Sequence, residues 1–212
     1  METQELIKAL AADARRHGMS MAFAWSVAGF AAIAVAAIVF FLMLGARTDI
    51  AVAAQTGRFL FKFIVTIALA VSAFALLHVL ARPEAEARRM LPRLAVAPAL
   101  LLAAIVAELA VTPPDTWTAR LVGTNSLVCL TFIPLIGIGP LALLLAGLRH
   151  GAPSHPALAG AVAGLTAGGI AATFYAAHCT DDSPLFVATW YTIAVAMLAL
   201  VGALAAHRIV RW

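Results

Sequence analysis

The chain has 212 residues, of which 64% are hydrophobic and only 11% charged, with a formal net charge of +4. Soluble domains carry about 25% charged residues, so this composition cannot cover a globular surface with polar groups and lipid must be part of its solvent. Two cysteines are too few for a disulfide scaffold and leave one possible pair.

The opening stretch METQELIKALAADARRHG reads as a short amphipathic helix. Thr3 caps it, Gln4 and Glu5 fill the first turn, Arg15, Arg16 and His17 fill the last, and Gly18 ends it, so the charges complement the helix dipole at both ends. Leu6, Ile7, Leu10, Ala11 and Ala14 make one narrow apolar face. A helix of about 14 residues is marginal alone in water. It should lie on the bilayer, dock on neighbouring loops, or fold against a partner protein through that face.

Six apolar stretches follow, at 21–44, 59–81, 94–112, 127–148, 156–177 and 185–206. Each meets the roughly 20 residues that a helix needs to cross about 30 Å of hydrocarbon. The first is far longer than the 7–15 residues of a signal-peptide core and is expected to be retained. The separators GARTDIAVAAQTGR, RPEAEARRMLPR, PPDTWTARLVGTNS, RHGAPSH and HCTDDSP are short and polar. The expected fold is therefore all-α, a polytopic bundle of six transmembrane helices. Residues 1–20 form the N-terminal amphipathic helix, 21–206 the transmembrane domain and 207–212 a tail.

Loops rich in Lys and Arg stay in the cytoplasm. With both termini inside, that side holds Lys8, Arg15, Arg16, Arg82, Arg88, Arg89, Arg93, Arg149, Arg208 and Arg211, and the outer side keeps only Arg47, Arg58, Lys62 and Arg120. Topology thus accounts for the basic charge, and direct nucleic-acid binding is not called for.

In this orientation both cysteines fall on the outer side. Cys179 lies in the last outer loop, within HCTDDSPLFVATWY, and Cys129 about one turn inside the fourth span. A free cysteine is commonly a small buried hydrophobe, which suits Cys129. It suits Cys179 less, because His178 precedes it and Thr180, Asp181 and Asp182 follow. The pair has two chemical options: a disulfide, if the Cα atoms come within about 7 Å, or a soft ion such as Cu, Cd or Zn held by thiolates. No cofactor is expected to be constitutive. His178, Asp181 and Glu108 are the candidate helpers around Cys129 and Cys179. Glu108, about one turn from the outer end of the third span, is alternatively a partner for Arg120. Asp182 or Ser183 can cap the sixth span, with Pro184 in its first turn. Lys62 can snorkel to the interface, and Trp190 and Tyr191 read as packing residues. A quinone-linked thiol oxidoreductase would need a second reactive pair, and a small metal transporter would need deep charged or thiol residues. Neither is present, so the chain is not expected to be an enzyme.

LIKALAAD near the start, six spans in this length, a cysteine opening the fourth span, and Cys-x-Asp-Asp-Ser-Pro followed by Trp-Tyr resemble the NrsF-type membrane anti-sigma factors. The resemblance covers essentially the whole chain. It implies a bacterial inner-membrane protein that holds an extracytoplasmic-function (ECF) sigma factor inactive and releases it on heavy-metal or thiol-redox stress. It further implies that Cys129 and Cys179 are the periplasmic sensor, and that the N-terminal segment with the inner loops is the sigma-binding surface, with Leu6, Ile7, Leu10, Ala11 and Ala14 as its contacts.

Overall fold

The computed structural model describes residues 3–5, 21–82 and 91–209. Among these residues every regular element is helical, and six helices are long and apolar enough to cross a membrane. They are α1 (Met21–Met43), α2 (Gly57–Leu80), α3 (Pro92–Val111), α4 (Ser126–Leu148), α5 (Pro156–Ala176) and α6 (Pro184–Ile209). Each coincides with an apolar stretch of the sequence to within three residues. The residues expected to contact a sigma factor, Leu6, Ile7, Leu10, Ala11 and Ala14, lie outside the described residues.

Local chemistry places the helix starts. The Thr56 hydroxyl accepts the Phe59 N–H at 3.4 Å and caps α2. Pro156 and Pro184 open α5 and α6, where a missing N–H costs nothing, and the Ser183 hydroxyl accepts the Leu185 N–H at 3.3 Å. α6 runs on through Ile209.

The outer surface of the bundle is apolar, with Phe30, Leu42, Val111 and Leu127 largely exposed. Helices apolar on every face, as these are, belong in a protein core or a bilayer. α5 occupies the centre and packs on α6, α2, α4 and α1, while α3 packs chiefly on α2. The composition of α5 explains its place, because GAVAGLTAGG lets backbones approach closely. A Cβ on Gly160 would strike the carbonyl oxygen of Gly202, and one on Gly164 would strike that of Leu198. Two cores result. One surrounds Trp25, Leu76, Leu77, Leu144 and Leu148; the other surrounds Phe40, Cys129, Ile133, Tyr175, Cys179 and Phe186 at the opposite end of the helices.

The α5–α6 crossing generates a prediction. Gly164→Leu should drive the two helices apart and lower stability by about 1–3 kcal/mol, the usual cost of overpacking. Reversible unfolding of the purified chain in detergent measures it, and wild-type stability would contradict the crossing.

Candidate functional site: a buried thiol pair under an ion-paired loop

Both cysteines lie at the end of the bundle formed by the α1–α2, α3–α4 and α5–α6 connections. Cys129 sits in the first turn of α4 and donates its N–H to Asn125 O at 2.8 Å. Cys179 follows the end of α5 and donates its N–H to Tyr175 O at 3.0 Å. Both thiols are free, both residues are 0% exposed, and they share one core cluster. The Cys179 thiol approaches the Asp181 carbonyl at 3.8 Å, as a weak S–H donor. Burial pushes its pKa up, and the nearby Lys62 ammonium opposes that shift.

Two phenols complete the lining. The rings of Tyr175 and Tyr191 pack edge to face at 5.6 Å. Their hydroxyls lie beside the Cys179 thiol, yet neither reaches hydrogen-bonding geometry with any group. Tyr191 ends a π-helical turn, Val187–Tyr191, within α6. Such turns insert one residue into the helical register and recur at functional sites. Here the turn accompanies a division of neighbours: Tyr191 is buried in the thiol core, while Trp190 donates its indole N–H to Leu121 O at 2.8 Å.

Above the thiols lies an ionic layer that the sequence reading did not assign. Lys62 on α2 is 0% exposed; its ammonium donates to Cys179 O at 2.8 Å and pairs with Asp182 at 2.5 Å. It does not snorkel, because Asp182 is brought to it. Arg47 joins the same carboxylate at 3.1 Å, donates to Cys179 O at 3.3 Å, and holds Asp49 through two bonds of 2.6 and 2.7 Å. These bonds, led by that to Asp49, raise the Arg47 pKa, and Asp49 is held below the usual carboxylate range in return. The Phe59 ring lies 5.8 Å from the Arg47 guanidinium carbon and 5.3 Å from the Lys62 nitrogen, within cation–π reach.

Asp181 and His178 fasten the loop from its sides. One Asp181 oxygen accepts the backbone N–H groups of Thr124 and Asn125 at 2.9 and 2.8 Å, and the Asn125 side-chain amide at 2.9 Å. That carboxylate sits at the N-terminus of α4, where the helix dipole favours negative charge. The N–H groups it holds are those just before the helix, and the Asn125 side chain makes no cap bond of its own. Gly123 is required beside it: its φ is +59°, and a Cβ there would lie 2.5 Å from the Phe186 ring and 2.8 Å from the Asp181 carboxyl carbon. His178 donates from Nδ1 to Gly45 O at 3.0 Å.

The five residues considered as metal ligands are therefore not one coordination sphere. Cys129 and Cys179 share a core, Asp181 and His178 are engaged by backbone groups, and Glu108 belongs to a separate network. It is 4% exposed and bridges Arg58 at 2.9 Å and Arg120 at 2.8 Å. Among the described residues no three His, Cys, Asp or Glu side chains are grouped to hold a metal ion. The residues missed from sequence were Lys62, Arg47, Asp182, Tyr175 and Tyr191. A signal existed for Lys62, since a charge within an apolar span is expensive enough to suggest a role.

The ionic layer predicts an asymmetry. Asp182→Asn leaves a buried ammonium without its carboxylate and should cost about 3 kcal/mol or more. Lys62→Met leaves Asp182 paired with Arg47 and should cost less, and the double variant should recover much of the loss of Asp182→Asn. Unfolding of all three in detergent tests this; additive losses would mean that the pair is not coupled.

The negative regulator of sigma F family, NrsF, matches residues 10–212. The anti-sigma-F factor NrsF of Caulobacter vibrioides is 37% identical over 217 residues, with all of both chains covered. The probable anti-sigma-F factor NrsF of Azospira oryzae is 31% identical over 221 residues, again with complete coverage. No solved structure matches the chain. With a family match over nearly its full length and whole-chain relatives above 30% identity, the chain belongs to the NrsF family of anti-sigma factors.

Proposed function

We propose that this chain is a polytopic anti-sigma factor of the bacterial inner membrane that sequesters an ECF sigma factor and releases it when Cys129 and Cys179 meet a soft metal ion or a thiol oxidant. Both termini face the cytoplasm and the cysteine end faces the periplasm, the side on which disulfides persist. The observation that carries the reading is that the only two cysteines, one on α4 and one in the α5–α6 connection, are buried in one core at the end of the bundle away from the start of α1 and the end of α6.

Either signal changes the same contact. A soft ion displaces the two thiol protons and joins the sulfurs through itself. An oxidant takes two electrons as the S–S bond forms and two protons leave. In both cases α4 is newly tethered to the α5–α6 connection. The ligand can shift the bundle only by the difference in its affinity for the two arrangements, and burial of the resting thiols supplies such a difference. The sigma factor docks at the other end, where the N-terminal segment and the inner loops supply the surface.

The test is a reporter of the cognate sigma factor's regulon. Deleting this chain should raise expression constitutively. A chain carrying Cys129→Ser and Cys179→Ser should still repress but no longer respond to Cu, Cd or a thiol oxidant. A flat reporter on deletion would remove the anti-sigma reading for this sigma factor, and an intact response in the serine variant would remove the thiol part.

A further inference from the structure

Both cysteines are fully buried, so a reagent from solvent reaches the sulfurs only when the packing around them opens. Cys179 belongs to the segment 177–183 and shares its core with Cys129, and that segment is fastened on several sides, His178 holding Gly45 O at 3.0 Å among them. On one side Arg47 donates its backbone N–H to Ala177 O at 3.0 Å, and its guanidinium to Cys179 O at 3.3 Å and to Asp182 at 3.1 Å. On another side Asp181 holds the N–H groups of Thr124 and Asn125. Capping of α6 does not explain this fastening, because Ser183 supplies that cap. Lys62 braces the segment from below and is wholly buried, whereas the Arg47 side chain is 11% exposed and Asp181 is only half-buried. Arg47 and Asp181 are the fasteners that hold the segment through several bonds each at places that solvent reaches, whereas His178 holds it by a single bond.

We propose that Arg47 and Asp181 are latch residues of the thiol site: they hold the 177–183 segment closed and so set the rate at which a soft ion or thiol reagent gains access to Cys129 and Cys179. Their physiological use rests on the thiol-sensing reading, but the latch itself is observable without any signalling. Opening is a local event, far short of unfolding, and each such event has its own free energy. Arg47 competes for closure through charge and Asp181 through acceptor geometry, so the two should respond differently to conservative replacement.

The experiment is the labelling rate of the full chain in detergent micelles by N-ethylmaleimide, with mass spectrometry assigning each cysteine. Labelling of the wild-type protein should be slow compared with the same chain in denaturant. Arg47→Gln and Asp181→Ala should each accelerate it by about tenfold, which corresponds to about 1.4 kcal/mol of lost closing free energy. Arg47→Lys and Asp181→Asn should recover part of the protection, since the first keeps a charge for Asp182 and the second an acceptor for Thr124 and Asn125. Arg58→Gln breaks the Glu108 pair at the same end and controls for general loosening; its rate should stay within about twofold of wild type. Rates unchanged in Arg47→Gln and Asp181→Ala would overturn the proposal, as would equal acceleration in Arg58→Gln. Wild-type thiols that label as fast as the denatured chain would overturn it as well. In the reporter strain the two latch variants should respond at lower Cd concentration. A faster label with a reporter indifferent to Cd in every variant would sink the sensing reading and leave the latch standing. An unchanged label beside a cysteine-dependent reporter would do the reverse.

Discussion

An ammonium buried between apolar helices must be met by a carboxylate, and the cysteine end of this protein is built around that requirement. Lys62 has no route to water. Its partners, the Asp182 carboxylate and the Cys179 carbonyl, both belong to the segment that joins α5 to α6. The segment is thereby drawn across α2 instead of looping outward. Once it lies there, Asp182 meets Arg47, Asp181 meets the N-terminus of α4, and His178 meets Gly45. The placement of Cys179 follows from these bonds, since it lies in the same segment that supplies the counter-charge. The desolvation of a buried pair is costly enough that it need not add stability. What it provides here is a unique position for seven residues of loop.

The six helices were legible in the sequence because lipid-facing helices announce themselves by length and apolarity, and these do so with clear polar breaks. The termini of the helices were legible for the same local reasons that form them: Pro184 and Ser183 behave as residues with those side chains do anywhere. The side chains around the thiols were less legible. Asp181 and Asp182 are adjacent and read alike as cap or solvated loop, yet one crosses to α4 and the other to α2 and Arg47. Nothing in a linear sequence says which helix a loop carboxylate will meet. Glu108 read alternatively as a partner for Arg120, which is one of the two it has; Arg58 lies 50 positions away, and only the packing of α3 on α2 brings it near. Tyr191 read as packing, which it is, but a π turn is invisible to periodicity, and it is this turn that accompanies the placement of the phenol beside Cys179.

If the cysteine end signals as proposed, transmission across roughly 30 Å of hydrocarbon needs one part of the bundle to stay rigid and another to yield, because packed helices that all yield carry no displacement. α5 and α6 make the rigid part. Their glycines bring backbone against backbone at Gly160, Gly164 and Gly202, so neither helix can slide without opening the crossing. α4 has the opposite character. Below Cys129 it contains PLIGIGP, with Pro134 and Pro140 inside the helix and Gly137 and Gly139 between them. Each proline removes one helical N–H donor and crowds the carbonyl a turn earlier, and such sites are where helices bend. The same stretch is closely fitted, since a Cβ on Gly137 would meet Leu198 on α6 and one on Gly139 would meet Val35 on α1. A tether formed between Cys129 and Cys179 would therefore pull the top of a weakened helix toward a rigid pair. The prolines make 134–140 the place where such a pull would bend α4, and a bend there would shift its lower half against α1. The end of α1 away from the thiols leads directly back to the N-terminal segment, the proposed docking element for the sigma factor. On this geometry the strain produced by a sulfur tether needs to cross only one helix–helix contact, between α4 and α1, to reach the other end of the molecule.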